Sequence, residues 1–238
     1  MCGLLLTVLQ RLYLFINPTV FHKKWNYLLY KCYSFIMNKE LFSADINNHS
    51  WLSMLFDAYD VVDKGIDSAV LKFSKKKKIA LACREGCANC CRTHKDIPVY
   101  PLELVGIYWY VIEKVNEPIR YILKEQLRNY KKEAACPFLV NSSCSIHLMR
   151  PIACRQFNVF SKACEIGEDP FYTRRQDVLT PPKDVVDEAF AIMLPFYGVS
   201  GDKEIKSFLK HNLIHTQVKV LQSLDWYKLA IRMDEFNL

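Results

Sequence analysis

The chain has 238 residues, of which 51% are hydrophobic and 13% aromatic. That is enough apolar mass for a packed core, and it argues against disorder over most of the length. The 7 glycines form no GxGxxG or GxxxxGKS run, which argues against a Rossmann or P-loop nucleotide site, and a net charge of +7 permits acidic partners without demanding nucleic acid.

Residues 1–39 contain Arg11, Lys23, Lys24, Lys31 and Lys39 and no acidic residue, among dense aromatics such as Tyr13, Phe21, Trp25 and Tyr30. In Leu4–Ile16 the polar residues Thr7, Gln10 and Arg11 form one narrow stripe on an otherwise apolar helix. Such a segment packs on a fold or a second subunit, or lies on an anionic membrane surface through residues 1–36. It is too short to span a bilayer, which takes roughly 20 apolar residues. No basic residue precedes it and no small-residue cleavage site follows, so no secretory signal is expected. A reducing, cytoplasmic setting follows, in which dense cysteines read as metal binding rather than disulfides. Residues 1–45 are expected to form a basic, aromatic N-terminal helical segment. Residues 46–238 are expected to form a helical metal-binding domain with a cysteine core at 80–165.

Asn47 to Ser50 offer helix caps. Leu52, Leu55, Phe56, Tyr59, Val62, Ile66, Val70 and Phe73 then recur at three- and four-residue steps, predicting a long amphipathic helix to about Lys75, weakened at Gly65. Lys75 to Lys78 read as its solvated end. Two prolines force Asp96–Pro101 into extended backbone, and Pro101 opens a helix to about Val115 with Glu103 in its first turn. A helix from Pro118 places Ile119, Ile122, Leu123, Leu127 and Tyr130 on one face. Five prolines make residues 136–182 loop-rich. The helical period returns at Lys183, breaks at Pro195–Gly201, and resumes at Asp202 as one last long helix through Leu224. No run alternates cleanly enough for a strand. The fold class is all-α: a helical domain carrying a loop-rich cysteine lobe.

Eight of the ten cysteines lie between 83 and 164. Cys83, Cys87, Cys90 and Cys91 fall within nine residues; Cys136, Cys144, Cys154 and Cys164 follow at wide gaps and must be brought in by folding. Cys2 and Cys32 stand apart as ordinary thiols. Thiolate is a soft ligand, and tetrahedral sulfur sites select zinc or iron–sulfur clusters. Cys87 and Cys90 have the spacing of a CxxC knuckle. Four thiolates suffice for one structural zinc or one [4Fe–4S] cluster, and eight for two zincs or for a cluster with spare thiols; spacing does not choose. Arg84, Arg92, Arg150 and Arg155 would offset a thiolate charge, and Arg155, directly after Cys154, is the candidate to bind next to the cofactor. His147 reads as a hydrogen-bonded loop residue before it reads as a ligand. His211 and His215 stand four apart on a predicted helix, with no glutamate to make HExxH.

Cys83-x3-Cys87-x2-Cys90-Cys91, then Cys136-Pro137-Phe138-Leu139, Cys144-Ser145-Ile146-His147 and Arg150-Pro151-x2-Cys154-Arg155-x-Phe157, resembles the YkgJ-type cysteine-cluster family over roughly residues 80–165. His147 stands where that pattern leads one to expect an aromatic residue. The resemblance implies zinc or iron binding, with iron–sulfur favoured beyond what spacing shows. Flagellin lysine N-methylases carry a similar core, which implies an S-adenosylmethionine-dependent protein-lysine methylase as the alternative; no methyltransferase motif supports it independently. The partner or substrate protein is unnamed by the sequence.

Overall fold

The computed structural model describes residues 41–84, 86–132 and 134–236. The chain divides into two compact units, 1–47 and 48–238. The N-terminal helix, its membrane-facing reading and the thiols Cys2 and Cys32 lie outside the described residues. A short helix, α1 (Ser43–Asn48), carries Asp45 in its first turn. No helix among the described residues is long and apolar enough to cross a membrane.

The second unit is organised on α2 (Ser50–Lys77). Its periodic apolar residues Leu52, Leu55, Phe56, Tyr59, Val62, Ile66 and Val70 are all buried, as predicted. Each such side chain contributes about 1.5–3 kcal/mol on leaving water. The N-cap is His49, with extended backbone and no side-chain cap bond. At the other end Lys75, Lys76 and Lys77 fill the last turn, where positive charge complements the helix dipole, and Lys78 closes the helix in the left-handed region (φ 57°).

Three further predicted helices are present: α4 (Pro101–Glu113), α5 (Ile119–Arg128) and α8 (Lys183–Met193). The short helices α3 (Asn89–Thr93), α6 (Ile152–Gln156) and α7 (Pro170–Thr173) lie in the cysteine lobe. α9 (Asp202–Lys210) and α10 (Tyr227–Glu235) complete the set. The main packing partner of α2 is α8. They meet at Gly65, where an added Cβ would lie 2.4 Å from Val185 Cγ1. The glycine that weakens the helix locally is what admits its neighbour. α4 approaches α2 by the same device, since a Cβ at Gly106 would lie 2.3 Å from Leu55 Cδ2. Arg120 joins α4 to α10 by donating to the carbonyls of Val111, Ile112, Met233 and Phe236.

The last long helix predicted through Leu224 is not formed. α9 stops at Lys210, and Asn212 follows in the left-handed region (φ 54°), a helix-ending conformation open to asparagine at modest cost. The chain then makes 3-10 turns at Leu213–Gln217 and Leu221–Ser223. Between them Val218 and Val220 help form an edge: β1 (Pro98–Val99) pairs antiparallel with β4 (Lys219–Val220). Gln222, 2% exposed, locks that edge. Its Oε1 accepts the Ile97 N–H at 3.1 Å and its Nε2 donates to the His94 carbonyl at 3.0 Å. His211 and His215 therefore do not share a helix face. His211 caps α9, and His215 Nδ1 meets the Tyr100 hydroxyl at 2.7 Å.

Candidate metal centre

The lobe is built by two lacings of irregular backbone. In the first, residues 80–83 run beside 159–161. Ala82 N–H donates to the Val159 carbonyl (2.8 Å), Ser161 N–H to the Ala80 carbonyl (3.0 Å), and Leu81 bridges Phe160. Val159 N–H donates to Cys83 Sγ at 3.3 Å. Gly86, at φ +76°, turns the chain so that Cys87 N–H reaches the Arg84 carbonyl. Asn89 Nδ2 donates to the Glu168 carbonyl at 2.6 Å, bringing the start of α3 to the loop that holds Cys164. Arg174, 6% exposed, closes that loop. It donates to the Phe160 carbonyl, pairs with Glu168 Oε1 at 2.7 Å, and places Nη2 3.6 Å from Cys164 Sγ.

The second lacing starts one residue after Cys90. The Cys91 carbonyl accepts the Cys136 N–H at 2.7 Å. A hairpin follows, β2 (Leu139–Val140) against β3 (Ser143–Cys144). Its loop residues Asn141 and Ser142 both have positive φ (49° and 60°), as a two-residue type I′ turn requires. This sets Cys144 opposite Leu139. Arg92 Nη2 ties the hairpin to α3 through Ser142 Oγ at 2.8 Å. Cys154 lies on α6, with its N–H bonded to the Pro151 carbonyl.

The two widely separated cysteine groups therefore meet. Cys90 hydrogen-bonds with Cys91, and Cys91 with Cys136. Cys154 feels the charge of Cys144, Cys90 and Cys91; Cys83 feels Cys87, Cys90 and Cys164. The hydrogen bond with Cys136, then burial, pushes Cys91 up to about 12. Burial pushes Cys83 up to about 11, raises Cys144 and Cys164, and holds Cys154 far above an ordinary thiol. Hydrogen bonding with Cys91 and then burial raise Cys90 strongly. Thiols so placed keep their protons near neutrality, and a soft cation is what would displace those protons and make thiolates the favoured form. Among the described residues no three His, Cys, Asp or Glu side chains are already drawn onto one coordination point. Cys90, Cys91 and Cys136 stand as hydrogen-bonded neighbours, with the other thiols close enough to feel one another's charge.

Positive charge borders the cluster. Arg150, lowered by burial, acts on Cys144 and Cys154. Arg155, 8% exposed, donates from Nη1 to Asp63 Oδ2 at 2.6 Å and from Nε to the Arg150 carbonyl at 2.9 Å; Nη2 donates to the Leu148 carbonyl. Its guanidinium stacks on Tyr59 at 3.7 Å, and its charge reaches Cys144. The residue after Cys154 thus clamps the lobe to α2. His147 lies in a 3-10 turn with Arg150 Nη1 against its ring.

Glu103 carries more than its helix start. It is fully buried: Oε2 accepts the Tyr100 N–H at 2.9 Å and Oε1 the Ile152 N–H at 2.7 Å, at the first residue of α6. Burial raises its carboxyl from the usual range to about 7. Its place in the first turn of α4 was legible in the sequence; its reach to Ile152, 49 residues on, and that of Arg174 to Cys164 had no local signal.

Eight thiols on short helices, a hairpin and irregular loops, gathered from two stretches and bordered by the buried Arg155 and Arg174, make a donor lobe of the kind that chelates soft metals. Residues 82–179 match the model of the CxxCxxCC family, described as "Putative zinc- or iron-chelating domain". This is the cysteine-cluster family that the motif resembles. No curated protein and no solved structure matches the chain.

Proposed function

We propose that the protein binds metal through this lobe, holding zinc or an iron–sulfur cluster on cysteine thiolates. The observation that carries the reading is the meeting of Cys90 and Cys91 with Cys136, Cys144 and Cys154, from stretches more than forty residues apart. Chance burial of single thiols gives no reason for such a meeting, whereas a shared soft cation does. The donor set is Cys83, Cys87, Cys90, Cys91, Cys136, Cys144, Cys154 and Cys164. Arg150, Arg155 and Arg174 supply nearby charge that favours the ionised sulfurs. A bound metal would supply structural cross-linking in the case of zinc, and electron transfer or Lewis acidity in the case of iron–sulfur.

Anaerobic purification with elemental analysis, acid-labile sulfide and visible absorption tests the reading. Iron with matching sulfide and a brown chromophore assigns a cluster; zinc without iron assigns a structural site. A colourless chain that takes up neither metal rejects the reading.

A further inference from the structure

Resting on that metal-binding reading, we infer that the eight cysteines form two four-thiolate centres, an outer set of Cys83, Cys87, Cys90 and Cys164 and an inner set of Cys91, Cys136, Cys144 and Cys154. The divide falls inside α3. Cys90 and Cys91 are hydrogen-bonded neighbours on that helix, but they lead to different partners: Cys83 and Cys164 both feel Cys90, whereas Cys91 bonds Cys136 and feels Cys144. The hydrogen bonds sort the remaining thiols. Residues 80–83 are laced to 159–161, and the start of α3 is bonded to Glu168, which gathers Cys83, Cys87 and Cys164 around the Arg174 loop. The Cys91 carbonyl and Arg92 hold the segment from Cys136 to Cys144 instead, and the charge of Cys144 reaches Cys154 on α6. Cys90 itself lies near thiols of both sets. The inner set already numbers four without it, and its CxxC knuckle with Cys87 completes the outer one.

The two centres differ in access. The outer set contains the exposed Cys87, the inner set the buried Cys136. The outer centre therefore exchanges metal with solvent more readily, and the inner one ties the hairpin and α6 together.

Anaerobic titration of the full reduced chain with cobalt(II), read by thiolate-to-cobalt absorption, tests the division. The wild type is expected to take about two equivalents, and Cys164→Ser and Cys144→Ser about one each, at four thiolates per ion. Cys87→Ser, at an exposed position, repeats the outer-set result should Cys144→Ser fail to fold. In half-loaded Cys164→Ser, alkylation is expected to label Cys83, Cys87 and Cys90 and to spare Cys91, Cys136, Cys144 and Cys154. A single equivalent in the wild type that either outer variant abolishes, or labelling spread across both sets, overturns the division and leaves one shared centre. A wild type that binds no cobalt overturns the metal reading beneath it.

Discussion

The paired helices α2 and α8 and the cysteine lobe are held by different forces. Between the helices, burial of repeating apolar side chains does the holding, and a glycine sets the distance of approach. In the lobe, ladders are two residues long, and order comes from arginines on carbonyls, single backbone bonds and neighbouring thiols. The first kind of order is stable without any ligand. The second buries apolar side chains such as Phe138, Ile146, Met149, Ile152 and Phe160 too, but sets many polar groups and protonated sulfurs beside them, and short ladders do little to offset the loss of chain entropy. A bound ion would add stabilisation where the backbone ladders are shortest.

The largest test of this contrast is metal removal. Structural zinc in small domains is worth about 10–16 kcal/mol at neutral pH. Chelation is expected to open residues 130–180 to proteolysis while far-ultraviolet circular dichroism keeps most of its helical signal. Uniform loss of both would show that the two regions depend on each other throughout.

Next comes the clamp between them. Arg155→Ala removes the partner of Asp63 and leaves the Arg150 and Leu148 carbonyls without their donor. Arg155 is buried while Asp63 is 35% exposed, so the loss of the pair together with the two carbonyl bonds costs about 3 kcal/mol. Urea unfolding should show a loss of that order, and a loss under 1 kcal/mol would mean the regions are joined elsewhere.

Glu103 makes the same seam sensitive to pH. Its carboxyl, held at about 7 by burial, keeps a proton that the unfolded chain has lost above its usual 4.5. The folded state binds more protons in that window, so stability falls as pH rises from about 4.5 to about 7, by about 3 kcal/mol. Glu103→Gln should flatten the slope, as read from urea midpoints at each end of the window. An unchanged slope would place the titrating group elsewhere.

The smallest effect belongs to the helix pair. Gly65→Ala gains roughly 1 kcal/mol of helix propensity and loses more against the stiff Val185 side chain, for a net loss of about 1 kcal/mol. Val185→Ala in the same chain should recover part of it, because the nearest atoms met by the added Cβ all belong to Val185. A gain from the single substitution would show that the pair has room.

Legibility in the sequence followed the same divide. A seven-step apolar period announced α2 residue by residue, and prolines and acidic first turns bounded α4 and α8. The cysteine spacing singled out thiols that folding brings side by side, as Cys90 and Cys91 with Cys136. Asn212 was a readable stop signal, but the apolar residues Leu213, Val218, Val220 and Leu221 continue the helical pattern past it while serving an edge strand and turns. The Asn141–Ser142 hairpin was hidden because neither residue is glycine. Long-range bonds such as Glu103 to Ile152 and Arg174 to Cys164 leave no periodic trace, since each links a single pair.

The pairing of α2 with α8 also fixes an order of events during synthesis. Every one of the eight sulfurs leaves the ribosome after α2 and before α8, so α2 waits for its principal neighbour until the whole cysteine segment has been made. A nascent chain can thus meet its metal while the lobe is still open. Refolding yield should accordingly be higher when the ion is present from the first moment than when it is offered to a chain whose helices have already closed.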